Sequence, residues 1–340
     1  MTTIWATIFV FGLIVFIHEG GHFITAKTTG MQVDEFSLGF GPSLFQYKYK
    51  GTLYSLRAIP LGGYNKIAGM TPDEVLTPKS FNAKPLPSRL LVIAAGSLMN
   101  FLLAIILFWG IFFFQGLQTP VLDKTIIGSV AENSPAATSK LQANDRILAI
   151  GNQPVKEWND IHQAVEKFPN EVITMEIIRD GENKSISIIP HYSETGKRVV
   201  VGISPLMEVQ HPGFWGSWAM SIDDTQRIIY ATFTGLYMTA TGTAGADLSG
   251  PIGIAQMAGQ VAEAGIIYLL GFTAILSINL GIINLLPVPM LDGGHIIVLL
   301  IEGVTRRKLP PKALYYVQMV GLTILLALFV YAMANDISKL

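Results

Sequence analysis

The chain has 340 residues, half of them hydrophobic and only 14% charged, with a formal net charge of -1 and a mean hydropathy of +0.46. That balance describes an integral membrane protein rather than a soluble domain, and the near-neutral charge gives no footing for a nucleic-acid partner. Cysteine is absent, which excludes disulfides and limits any metal site to His, Asp and Glu ligands.

From Met1 to Ile17 no residue is charged, and the run is long enough for a span over 4–26. It lacks a basic leader and continues into His18-Glu19-Gly20-Gly21-His22 where a cleavage site would fall, so it reads as a retained span rather than a signal peptide. Ionisable groups at the end of such a run are costly in hydrocarbon and are kept when something binds them. The i, i+4 spacing puts both imidazoles on one helix face with Glu19 beside them, a pattern that suits zinc and a general base. The bland alternative is a histidine pair hydrogen-bonded inside a helix bundle.

Between 36 and 70 the chain is glycine-rich, with strand-like pieces at 43–49 and 52–59 joined by Lys50-Gly51. The segment is apolar for a loop, which predicts a membrane-associated β-hairpin that dips back into the bilayer. A strand edge is tolerated there if it lines a protein cavity. The plainer reading is a small β-rich loop in the cytoplasm. A second span follows at 90–115.

Residues 121–205 have soluble character. Short strands precede and follow a helix predicted at 158–167, and strands at 172–179 and 184–190 are joined by Asp180-Gly181. The order, with Ser134-Pro135-Ala136-Ala137 and Asp145-Arg146-Ile147, resembles a circularly permuted PDZ domain. Such a sheet edge takes a peptide by strand addition, and an inert cap or spacer is the competing reading. Residues 228–246 are uncharged but rich in Thr and Gly, which favours an interfacial or surface helix over a span.

Further spans are predicted at 264–291 and 313–335. Basic residues concentrate between spans one and two, and in Arg306, Arg307, Lys308 and Lys312 between three and four. This makes both loops cytoplasmic and the PDZ-like insert extracytoplasmic. The predicted organisation is 1–115, an N-terminal membrane part; 116–205, the inserted β domain; 206–263, interfacial helices and linker; and 264–340, the C-terminal membrane part.

Two histidines are too few for a catalytic zinc, which takes three protein ligands. The third span ends in Asn284-Leu285-Leu286-Pro287-Val288-Pro289-Met290-Leu291-Asp292-Gly293-Gly294-His295, where two prolines break the helix and Asp292 and His295 are both possible ligands. With four spans, Asp292 and the HEGGH helix meet on the cytoplasmic side. Asp292 could instead cap the following helix, and Asn284 could satisfy backbone groups that Pro287 frees.

HEGGH in the first helix, Gly39-Phe40-Gly41, Pro60-Leu61-Gly62-Gly63-Tyr64, the PDZ-like insert, Gly250-Pro251-Ile252-Gly253-Ile254 and the segment 284–295 occur in one order over nearly the whole chain. Together they resemble the site-2 protease family, in the bacterial group that regulates sigma-E. The length leaves room for one PDZ domain where well-known members carry two. The resemblance implies a polytopic bacterial inner-membrane protein and a zinc endopeptidase acting on single-span membrane proteins, such as anti-sigma factors or signal-peptide remnants. It implies His18, His22 and Asp292 as zinc ligands, Glu19 as general base, and Asn284 on the substrate backbone or the oxyanion. A helical substrate must unwind before it is cut. The hairpin is expected to receive it by strand addition along 52–56, which makes Thr52 and Tyr54, with Gly39 and Gly41, candidate substrate contacts. A non-catalytic PDZ scaffold or chaperone and a metal transporter are the competing functions; no paired repeat of the transporter kind is visible.

Overall fold

The computed structural model describes residues 1–70, 76–193, 198–243, 250–307 and 309–339. The end of the 228–246 segment and Lys308 of the basic loop lie outside them. Helix α1 (Thr2–Thr28) leads into strands β1 (Val33–Tyr49) and β2 (Thr52–Ile67), and then α2 (Leu86–Phe114). Next come β3 (Leu117–Pro120), β4 (Ile127–Val130), α3 (Pro135–Thr138), β5 (Arg146–Ile150), β6 (Gln153–Pro154), α4 (Trp158–Val165), β7 (Ile173–Arg179) and β8 (Glu182–Ile188). After them run β9 (His191–Ser193), β10 (Arg198–Val200), β11 (Ile203–Pro205) and β12 (Met207–Gln210). The chain closes with α5 (Gly213–Ala240), α6 (Pro251–Ala264), α7 (Ile266–Leu285), α8 (Asp292–Thr305) and α9 (Pro311–Ser338). Two compact units result: Met1–Phe114 with Gly213–Leu340, and Gln115–Pro212.

In the first unit, four helices among the described residues are long and apolar enough to cross a membrane: α1, α2, α7 and the Lys312–Ser338 part of α9. Helix α5 is not one of them, yet it is no loose surface helix. Trp109 Nε1 donates to the Phe214 carbonyl (3.3 Å) and Thr232 Oγ1 donates to Asn279 Oδ1 (2.9 Å), so α5 lies along both α2 and α7. It also starts at Gly213, well before 228; its first turns are a mixed aromatic and polar stretch without the apolar density that marks a span in sequence. Helix α6 lies against α1, with Ala258 buried beside Ala6 and Val10. Its N-terminus is capped from α9, where Asp336 accepts from the backbone N–H groups of Gly250 (2.8 Å) and Gly253 (2.9 Å).

The third span breaks where the prolines demand it. Helix α7 ends at Leu285, Leu286 is extended, and helical structure resumes only at Asp292. Leu291 occupies the N-cap of α8 without a side-chain cap bond, and Asp292 sits in the first turn. The carboxylate is therefore not spent as the cap.

The hairpin is more folded than its pattern suggested. Lys50 (φ 45°) and Gly51 (φ 83°) make the turn between 43–49 and 52–57, as expected. Residues 35–38, however, have partners on both sides: 53–56 on one and 63–66 on the other. The order across the sheet is therefore 43–49, 52–57, 33–38, 63–67. The backbone at 52–56 lies inside the sheet and is already paired on both edges, which removes it as a site of strand addition. The reason is the doubling back at Gly39 (φ 87°) and Gly41 (φ 83°), a left-handed stretch where a side chain at Gly39 would meet the Ile59 carbonyl.

The inserted unit has a four-stranded antiparallel sheet ordered β6-β5-β7-β8, with β4 paired to β11 and β3 to β12. Asp180 (φ 55°) and Gly181 (φ 82°) form the turn between β7 and β8. Because the return strand β12 pairs with β3, the unit closes at Pro212 rather than at 205. Its core is built on Ile127, Ile147, Ile150, Met175 and Ile177, all fully buried. Each such side chain stabilises the fold by about 1.5–3 kcal/mol.

Candidate metal centre

The seam between α1 and α2 is made of small residues. A side chain at Gly21 would run into the Ala95 backbone, and one at Gly96 would land on His22 Nε2 and crowd His18. Close approach of the two helices is what lets the α1 imidazoles reach across to groups on α2. His22 Nδ1 donates to the Val92 carbonyl (2.8 Å), which fixes the proton on Nδ1 and leaves a lone pair on Nε2. That Nε2 lies 3.3 Å from His18 Nε2 and 3.5 Å from Asp292 Oδ2, while His18 Nε2 is 3.6 Å from the same oxygen.

Two imidazole nitrogens and a carboxylate oxygen thus converge, each within 4.8 Å of the others. Among the described residues no other such cluster of three or more forms. Two neutral imidazoles and one carboxylate are a donor set that catalytic zinc takes, with a position left open. A second observation fits the same group. The Asn100 amide sits 3.2 Å from His18 Nδ1, and its Oδ1 is buried without a partner. Turned about its Cβ–Cγ bond, the amide would set its oxygen against His18 Nδ1, where it could accept that proton and leave the lone pair on His18 Nε2 free for a metal. Ser97 Oγ donates to Asp292 Oδ2 (3.3 Å), and Ser277 Oγ ties α7 to the Asn100 carbonyl (2.9 Å).

Glu19 lies next to this cluster and is held from the sheet. Asn65 Nδ2 donates to both the Glu19 carbonyl and Glu19 Oε2, each at 2.8 Å. Asn284, in the last turn of α7, brings its Nδ2 to 3.4 Å from His18 Nε2. His295 stands apart from the trio. Its Nδ1 is 3.2 Å from the Leu291 carbonyl, and it lines a cavity of about 700 Å³ between α8, α9 and residues around Phe81.

The other four residues expected at the substrate belong to the sheet's own packing. Thr52 is fully buried with its hydroxyl on the Val33 carbonyl (2.7 Å). Tyr54 stacks edgewise on Phe23 of α1 (5.8 Å between centroids), and beside it Phe36 does the same (5.2 Å). Gly39 forms a turn, and the Gly41 carbonyl accepts from Arg57 Nη1 (2.8 Å). Ser97, Asn100 and Asn65 were missed from the sequence. The first two carried a signal, as polar side chains within an otherwise apolar span; Asn65 carried none.

The profile of peptidase family M50 matches residues 6–328. The chain belongs to that family. The M50 chain is 30% identical to the zinc metalloprotease RasP of Geobacillus kaustophilus, over all of this chain and 98% of that one. It is 28% identical to the regulator of sigma-W protease RasP of Bacillus subtilis, over all of this chain and 99% of that one. A PDZ domain of an SdrC-like protein from Listeria monocytogenes is similar over 26% of this chain and 93% of its own, at 19% identity and a TM-score of 0.23. As an M50 peptidase the protein is a metalloprotease with membrane-type helices.

Proposed function

We propose that this protease cuts the transmembrane segments of single-span membrane proteins with one zinc ion held by His18, His22 and Asp292. The observation that carries the reading is the convergence of those three ligand atoms within 4.8 Å beside Glu19, two of them on the apolar helix α1 and the third in the first turn of α8. When bound, the zinc lowers the pKa of its water and polarises the scissile carbonyl. Glu19 accepts the proton of the attacking water and delivers it to the amide nitrogen as the C–N bond breaks. With the His18 lone pair engaged, Asn284 offers its amide N–H to the substrate carbonyl or the charge that develops on it.

A helix presented to this site must be unwound, and its freed backbone needs partners. Segment 63–67 is the sheet edge that fits, since it is paired on one side only and carries Asn65 beside Glu19. An extended substrate laid along it reaches the base directly. The other edge, 43–49, lies three segments away across the sheet.

The basic residues of the two loops support a reading with the metal centre toward the cytoplasm and the inserted unit outside, in a bacterial cytoplasmic membrane. The inserted unit then works as a PDZ domain that receives a peptide or holds off bulky ectodomains. Anti-sigma factors and signal-peptide remnants are the substrate class, in regulated intramembrane proteolysis. Expressing Glu19→Gln beside a tagged single-span substrate tests the proposal. Loss of the cleaved band with zinc retained supports it; the same band in both forms would favour a scaffold and overturn it.

A further inference from the structure

Asn65 holds Glu19 with one end of its amide and leaves the other end unused. Both acceptors that Asn65 Nδ2 meets, the Glu19 carbonyl and Oε2, demand a nitrogen at that position, so the amide orientation is set by its partners. The Oδ1 atom is then buried with no hydrogen-bond partner. A buried acceptor left unpaired is destabilising, and a donor brought by a bound strand would relieve it. This one lies on the strand segment whose free edge faces no other strand among the described residues. The edge is held in place from its other face as well. Arg57 donates to Tyr64 Oη (2.7 Å), Ser37 Oγ (2.9 Å) and Glu35 Oε1 (2.8 Å), tying Tyr64 to the adjoining segment 33–38 and, through Arg57, to 52–57 beyond it.

We propose that Asn65 is a positioning residue that couples the substrate to the base: its Nδ2 fixes the Glu19 carboxylate, and its Oδ1 accepts a backbone N–H of the unwound substrate. The proposal rests on the protease reading above. Filling Oδ1 completes the amide's hydrogen bonds only when a substrate strand is in place, so the base is best ordered at that moment. The same side chain therefore acts on two separable quantities, kcat through the donors and KM through the acceptor.

Two variants separate them, assayed as purified full-length protein on a fluorogenic peptide bearing one hydrophobic span. Asn65→Asp keeps an acceptor but removes the donors and faces Glu19 with a second carboxylate. It is expected to lower kcat about tenfold to a hundredfold, a range typical of supporting groups at metal sites, with KM unchanged. Asn65→Val suits a strand and removes both functions, so kcat falls likewise and KM rises about threefold to tenfold, the worth of one hydrogen bond. Wild-type constants in Asn65→Val would overturn the proposal. So would a fall in zinc content or melting temperature that tracks the lost activity in both variants, which marks a purely structural role. Glu19→Gln in parallel isolates the underlying reading: a variant that still cleaves sinks the protease mechanism, whereas a silent one beside unaltered Asn65 variants sinks only the coupling.

Discussion

In the inserted unit Asp145, at 1% exposure, ends in a two-point pair with Arg179 (2.7 and 2.6 Å) and also accepts from the Gln142 backbone N–H. In the membrane unit Asn65 Oδ1, Arg89 Nε, Asn100 Oδ1 and Ser217 Oγ are buried without partners, and no such atom occurs in the inserted unit among the described residues. Both units bury polar side chains, but one closes every bond and the other leaves ends open. Two of the four open ends belong to Asn65 and Asn100, whose Nδ2 atoms contact Glu19 and His18. Completed networks stabilise a fold, and at Asn65 and Asn100 the incomplete ones adjoin the groups that would hold a metal and act on a substrate.

That contrast can be broken by substitution, beginning where the effect is greatest. Gly96→Ala puts a methyl group where the imidazoles converge; it is expected to empty the site of zinc and cut cleavage about a thousandfold, near 4 kcal/mol of transition-state stabilisation. Metal analysis beside a cleavage assay reads both. Asp145→Ala removes the two-point pair and the Gln142 backbone bond and should destabilise the inserted unit by about 1–3 kcal/mol, measured by thermal melting, while zinc content stays at wild type. Asn100→Ala removes the support of His18 and should weaken zinc about tenfold to a hundredfold, as titrated against a chelator. Ser217→Ala deletes an open end that no site uses, and melting should move by no more than about 1 kcal/mol. A zinc defect in that last variant would contradict the link between open ends and the site.

The spans and the metal centre's ligand candidates were legible because each carries a periodic or spaced signal. Charge-free runs marked α1, α2, α7 and α9; the i, i+4 spacing marked His18 and His22; and Pro287 and Pro289 marked the break that precedes Asp292. The sheet was not legible to the same depth. Alternation in 43–59 announces strands but says nothing of which segment becomes the middle one, so 52–56 read as an edge when residues 35–38 cover it. Nor does a lone Asn65 among glycines announce a partner that lies 46 residues earlier in the chain. Helix α5 escaped in its first half because Asp223, Asp224 and Arg227 interrupt its apolar pattern.

The central claim is that Asp292, and not His295, completes the metal site with His18 and His22. Zinc bound per chain in the purified wild type, Asp292→Ala and His295→Ala tests it most directly. The geometry predicts one zinc in the wild type and in His295→Ala, and close to none in Asp292→Ala. Full zinc in Asp292→Ala with loss in His295→Ala would contradict it.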